Sequence, residues 1–263
     1  MILFVFEGKK REPELFRTME KLFFQDRQNI VCSFGNNIYE LYRQLKALDD
    51  AGDIVSLLVE KYRGCEDSPF GNSSRSSDFS EIYLVFDYDF HNTNISSEEM
   101  NSQLDEMLEM FDNETENGKL YINYPMVEAI RYTKKLPDSM FHNYTVSRQQ
   151  CLNASFKKIA DGFSDYKSLD FLSLNGRRQA TDSEVMSRTN NWNLIKEQHV
   201  IKANYLCSGN LTRPKAKADI SQKSIFSAQL QKHVLPDDSV SILSAFPLFL
   251  FDYFPYFVSG DLD

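Results

Sequence analysis

Several features that would assign a function at once are missing from this 263-residue chain. No Gly-x-x-x-x-Gly-Lys-Ser/Thr run occurs, so it has no phosphate loop of the NTPase kind. Its four cysteines, Cys32, Cys65, Cys151 and Cys207, are scattered and never at finger spacing. They read as reduced thiols and exclude a zinc ribbon. The start, Met1 to Phe6, is apolar with no basic leader and runs straight into charged residues, so no secretory signal is expected and the chain reads as cytoplasmic. The most apolar stretch, residues 239–258, is broken by Pro247, Asp252 and Pro255, and reads as a buried helix and not a membrane span. There is no internal repeat and no low-complexity tract. A basic excess is also absent: 29 Lys and Arg stand against 38 Asp and Glu, whereas a chain that binds polyanions usually carries a basic footprint.

The chain does have enough apolar material for a substantial core, with 42% hydrophobic and 13% aromatic residues. Charge is unevenly spread. Residues 1–130 carry 12 basic and 25 acidic side chains, and residues 131–263 carry 17 and 13. The first half is a candidate for cations and the second for a polyanion, although charge counts alone favour two solvated faces.

Apolar periodicity organises the first half. Ile2 to Phe6 is a continuous apolar run that predicts a strand buried on both faces, followed by a Glu7-Gly8 turn. Leu15, Phe16, Met19, Leu22 and Phe23 recur at helical spacing behind Pro13. Ile30 to Phe34 predicts a second strand, Asn36 or Asn37 a helix cap, and Ile54 to Val59 a short helix. The Ser-, Gly- and Asp-rich stretch 66–80 reads as a flexible loop. Ile82 to Phe86 predicts a third strand, Ser96-Ser97 a helix start, Leu120 to Ile122 a fourth strand, and Pro125 another helix. Alternating strands and helices predict an α/β fold with a mostly parallel sheet flanked by helices. After Lys135 the strand signals fade. Helices are predicted over 148–163, 183–206 and 239–254, with basic loops at 176–180 and 213–217. The division expected is an α/β domain over 1–137 and a mainly helical part over 138–263.

Acidic residues fall at successive strand ends, where parallel sheets bind their ligands. Glu7 ends the first strand and Glu12 lies in the next helical turn, with Gly8 letting the backbone turn. Asp87 and Asp89 follow the third strand, where extended i, i+2 geometry would put both carboxylates on one side. Glu128 lies one turn beyond Pro125. Each alone is ordinary: acidic turns and Asp-x-Asp pairs are common in an acidic chain. Together they would repel one another unless a cation neutralised them. Such a carboxylate set fits Mg²⁺ or Mn²⁺.

These segments resemble a known family. ILFVFEGKKREPELF, residues 2–16, looks like the opening Toprim motif, with the Glu12-Pro13 form of OLD nucleases and RloB-like proteins. IYLVFDYDFH, residues 82–91, resembles the Toprim strand that ends in Asp-x-Asp. NYPMVEAIRY, residues 123–132, resembles the Asn-Pro-x-x-Glu segment of RloB-like proteins, with Tyr124 inserted. The resemblance covers about residues 1–135. It implies a Mg²⁺-dependent endonuclease that cleaves DNA or RNA phosphodiesters, tRNA among the candidates. Glu7 would be a general acid/base or metal ligand, Glu12, Asp87 and Asp89 metal ligands, and Glu128 a fifth member of the site. The C-terminal half is similar only in a general way to stand-alone Toprim effectors of bacterial anti-phage systems. That likeness implies a separate ATPase as controlling partner. The aromatics at 246–257 are candidates for that contact or for self-association, although a buried core helix is the readier reading of them. A non-catalytic regulatory subunit with a structural metal is the runner-up, and a phosphatase-like hydrolase of small nucleotides comes third.

Basic residues are candidate phosphate contacts: Lys9, Lys10 and Arg11 between the two glutamates, and Arg131, Lys134 and Lys135 further on. Solvated surface explains them as well. Arg177, Arg178, Arg213, Lys215 and Lys217 are candidates for backbone contact in the second half. His91, beside the Asp-x-Asp, reads more readily as a surface histidine than as a ligand, and Trp192 as core.

Overall fold

The computed structural model describes residues 1–24, 27–48, 53–71, 75–174 and 179–256. Strand β1 (Ile2–Phe6) is buried over its whole length, which an apolar run with no polar face demands. The chain turns into helix α1 (Arg11–Phe23), whose Leu15, Phe16, Met19 and Leu22 face the core. Strand β2 (Asn29–Ser33) leads to α2 (Ile38–Lys46), where the Asn37 side chain caps the first turn by accepting from the Glu40 N–H at 3.0 Å. Helix α3 (Ile54–Lys61) and strand β3 (Glu81–Asp87) follow. Then come α4 (Ser97–Met110), capped by Ser96, the two-residue β4 (Asp112–Asn113) and β5 (Gly118–Asn123).

The sheet has the order β2-β1-β3-β5-β4, with β4 antiparallel at the edge and the other four strands parallel. From β1 the chain moves to one side for β2 and then crosses back for β3. That reversal leaves a crevice at the carboxyl ends of β1 and β3, the position where open parallel sheets hold ligands. Strand alternation sorts the two faces. Phe4, Phe6 and Tyr83 lie on one, where Phe4 and Phe6 meet Phe16 of α1. Phe86 lies on the other and meets Phe34, just ahead of α2.

The second half contains β6 (Thr145–Ser147), α5 (Arg148–Asn153), α6 (Phe156–Phe163), α7 (Asp182–Ser208) and α8 (Gln222–Gln229). A π turn over Leu230–Val234, α9 (Leu235–Asp237), β7 (Ser239–Ser241) and α10 (Ala245–Tyr253) complete it. Helix α10 closes the first sheet face: Phe246 stacks on Phe6, and Phe249 meets Phe4, Tyr83 and Tyr121 edge-on. The fold is α/β, as expected, with a mainly helical C-terminal part. One apolar core runs from β1 to α10, across the boundary expected near residue 137. Trp192 is fully buried and donates to the Leu172 carbonyl, which makes it core. No helix among the described residues is long and apolar enough to cross a membrane.

Three elements differ from expectation. The single helix over 148–163 is two, because Ala154 is extended and Ser155 restarts the turn. The helix over 239–254 begins as a strand: Ser239–Ser241 pairs with β6, and Tyr124 and Leu243 exchange both backbone hydrogen bonds. The alternation Ser-Val-Ser-Ile over 239–242 has the strand period, which the surrounding apolar run obscures. Pro125, joined to Tyr124 by a cis peptide, opens no α-helix, and a 3₁₀ turn over Val127–Arg131 follows.

Candidate metal centre

The crevice at the ends of β1 and β3 is lined by carboxylates. One oxygen each of Glu7, Asp87 and Asp89 lies within 4.8 Å of the others. Glu7 leaves β1 and accepts at Oε2 from the Asp87 N–H at 3.0 Å, which ties it across the strand pair. Asp87 is the last residue of β3 and only 4% exposed. Asp89 joins it by a route other than strand alternation. The chain has already left the sheet, and Asp89 sits in left-handed backbone with φ 48°. There its N–H donates to the Pro125 carbonyl at 3.3 Å and its own carbonyl accepts from Asn92. Aspartate tolerates this conformation better than most residues.

Glu12 is 5% exposed and accepts at Oε1 from the Gly8 N–H at 3.2 Å. Gly8 matters for room as much as for the turn: a Cβ there would stand 2.6 Å from Glu12 Oε2. Glu128 is half-buried on the 3₁₀ turn, and its charge raises the pKa of Glu12. Its Oε2 is buried without a hydrogen-bond partner. So all five predicted carboxylates gather at one sheet edge: three as a tight group, Glu12 next to it, and Glu128 beyond Glu12.

The electrostatics are those of uncompensated negative charge. Burial, then Asp89 and Glu12, push Glu7 up to about 9, against the lowering effect of the Asp87 N–H. Burial and then Glu7, Asp89 and Glu12 hold Asp87 well above the usual carboxylate range. Burial raises Asp89, and His91 partly offsets it. Burial raises Glu12 too, with Arg11 acting in the opposite direction. His91 Nδ1 is buried without a partner. Hard oxygen donors this close, each destabilised as an anion, fit a hard divalent cation.

No family model matches this chain, and neither a curated protein nor a solved structure does.

The basic candidates divide. Lys9 and Lys10 are exposed at the start of α1, and the Lys9 stem lies over Gly35. Arg11 is exposed, 3.9 Å from Glu14, and lines a small crevice with Glu128 and Arg131. Arg131 is 4% exposed, and its guanidinium is taken by Asp161 at 2.7 Å and the carbonyls of Lys157 and Tyr166. It anchors α6 and has little left for a phosphate. Lys134 caps the Phe163 carbonyl and ring. Arg213 is engaged by Glu197 and the Pro255 carbonyl, and Lys217 by the Asp252 carbonyl. Arg177 and Arg178 lie outside the described residues.

Sequence reasoning missed the support behind Asp87. Asn123, the last residue of β5, is fully buried and donates from Nδ2 to Asp87 Oδ1 at 2.9 Å. Its Oδ1 accepts from the Ala245 N–H at 2.8 Å and the Ser244 hydroxyl at 3.1 Å. Those donors at the start of α10 fix which way the amide points. Asp87 therefore has one oxygen held by protein and one left for a ligand. Ser244 is 121 residues from Asn123, which no local pattern reveals. Asn123→Ala is expected to cost about 1–3 kcal/mol in urea unfolding, because it strands buried donors of α10. Asn123→Asp, which keeps the acceptor oxygen, should lose less of that bond while adding a charge beside Asp87. Equal stability of the alanine variant and the wild type would mean that the network carries no load.

Proposed function

We propose that the chain is a Mg²⁺-dependent nuclease of the Toprim type, hydrolysing DNA or RNA phosphodiesters. The observation that supports this most is the convergence of Glu7, Asp87 and Asp89 at the point where the sheet order reverses, with Glu12 alongside. The same residues carry the Toprim resemblance. Asp87, Asp89 and Glu12 would hold the cation, which when bound polarises a phosphate and assists attack by water. Glu7 is placed for either of two tasks, a further ligand or a proton carrier. Its Oε2 is occupied by the Asp87 N–H, which leaves Oε1 as the atom to hold or give a proton. Asn123 orients Asp87, and the tight packing of Gly8 on Glu12 holds that carboxylate at the crevice.

On the same resemblance we propose that the protein works as an effector of anti-phage defence under a partner ATPase, since its own sequence has no phosphate loop. The test is incubation of the purified chain with plasmid DNA and with tRNA in Mg²⁺ or Mn²⁺, with and without EDTA. Cleavage that needs the metal supports the reading. Absence of cleavage, both alone and with its genomic neighbour co-expressed, ends it.

A further inference from the structure

A second cavity adjoins the acidic cluster. It is about 570 Å³, within the range of a small-molecule site, and lies between the start of α2, the loop after Asp89 and α4. Tyr39 connects the two. It lines the cavity and donates its hydroxyl to the Tyr88 carbonyl at 2.6 Å, and Asp89 and Glu7 are near enough to add to the burial that raises its pKa. The lining is polar, yet its charges are largely answered. Arg43 pairs with Glu40, Lys46 with Glu106, and Glu99 accepts from Gln103. A phosphate would find no uncommitted cation here.

What the cavity does offer is amide donors. Asn36 Oδ1 accepts from the Asn37 N–H, Asn37 Oδ1 from the Glu40 N–H, and Asn92 Oδ1 from the Asn94 N–H, at 2.9–3.0 Å. Backbone N–H groups can only donate, so each of these amides is fixed with its oxygen inward and its NH₂ left over. Those three NH₂ groups, and the whole amide of Asn94, have no protein partner among the described residues; Asn36 and Asn94 are exposed and Asn37 and Asn92 half-buried, so water meets them until a ligand displaces it. Ile95 adds an apolar surface. Several donors without acceptors, beside an apolar contact and without free charge, suit a flat heterocycle bearing carbonyl oxygens.

We propose that this cavity is a base-recognition subsite, which takes an unpaired nucleobase with ring carbonyls, uracil above all, next to the phosphodiester at the acidic cluster. The base must be unpaired because a cleft between two helices admits a splayed base and not a duplex. Adenine turns an exocyclic amino donor toward NH₂ groups that cannot accept from it, and is the poorer ligand. The inference rests on the nuclease reading for the position of the phosphate, but its test does not need catalysis.

Fluorescence anisotropy in EDTA, with short labelled oligouridylate and oligoadenylate, measures the ratio of the two affinities. The wild type should favour oligouridylate by about tenfold, the discrimination that one good paired contact supplies. The double variant Asn36→Ala with Asn92→Ala should bring the ratio close to one while the protein stays folded, with at most a small fall in Tm from the two lost turn hydrogen bonds. Asn92→Asp keeps the bond to the Asn94 N–H and loses only the donor, so it should lower the ratio as well. Because a ratio is read, any general repulsion cancels. Equal binding of the two oligomers by the wild type, or an unchanged ratio in the folded variants, overturns the subsite. If the chain cleaves nucleic acid but shows no preference, the subsite fails and the nuclease stands. If the preference exists and depends on Asn36 and Asn92 while no cleavage occurs, the nuclease fails and the subsite stands.

Discussion

Glu7→Gln is expected to reduce metal-dependent cleavage by roughly 10²–10⁴-fold, the usual loss when a positioned acid or base is removed. The substitution is close to isosteric. Glutamine keeps an oxygen to accept the Asp87 N–H, which Glu7 receives at 3.0 Å, so the strand ends should stay tied. What disappears is the ability to ionise. A Mg²⁺ titration on the same variant separates the two tasks proposed for Glu7. If Glu7 is a ligand, the thermal shift given by Mg²⁺ shrinks together with the rate. If it carries a proton, the shift persists while the rate falls. Folded Glu7→Gln protein that cleaves as well as wild type would remove this residue from the mechanism.

The parallel half of the fold was readable because its signals are local. A five-residue apolar run, a cap such as Ser96 and the apolar stretch Leu120 to Ile122 act over a few positions, and β1, α4 and β5 follow from them. The acidic site was readable for a related reason: parallel strands all end at one edge, so carboxylates just after several strands must meet. The geometry that joins Asp89 to Asp87 was not readable, since left-handed backbone at Asp89 depends on its contact with Pro125. Nor was the fate of Arg131, which sequence offers as a phosphate contact but which Asp161 claims across 30 residues. The strand in the 239–254 stretch exists because β6 is there to pair with it. Tertiary partners decided each of these cases, and a partner far along the chain leaves no mark on local spacing.

In EDTA, Asp87→Asn with Asp89→Asn is expected to make the protein more stable than wild type, by a margin that widens as pH rises. The pKa of Glu7 goes from 4.5 to about 9 on folding, and Asp87, Asp89 and Glu12 move the same way. Across that window the folded chain holds protons that the unfolded chain has released. Stability from these groups is complete below about pH 4.5 and drains away as pH climbs toward 9, by about 1.4 kcal/mol per pH unit for each extra proton held. The neutral asparagines remove two of the anions that folding brings together, so the variant escapes part of the loss. Lys202 and His199, buried elsewhere with lowered pKa values, titrate in the opposite sense. They contribute equally to both proteins and cancel in the difference, which is why the comparison is between variant and wild type and not between pH values. Mg²⁺ should then reverse the order. Bound to the folded wild type alone, it adds about 2.7 kcal/mol at a hundred times its Kd, and it adds nothing to the double variant. Thermal melts at pH 5, 7 and 9 with EDTA or Mg²⁺ read both effects. A stability difference that stays flat with pH would mean that these carboxylates are not strained as anions. An undiminished Mg²⁺ shift in the double variant would place the cation somewhere else.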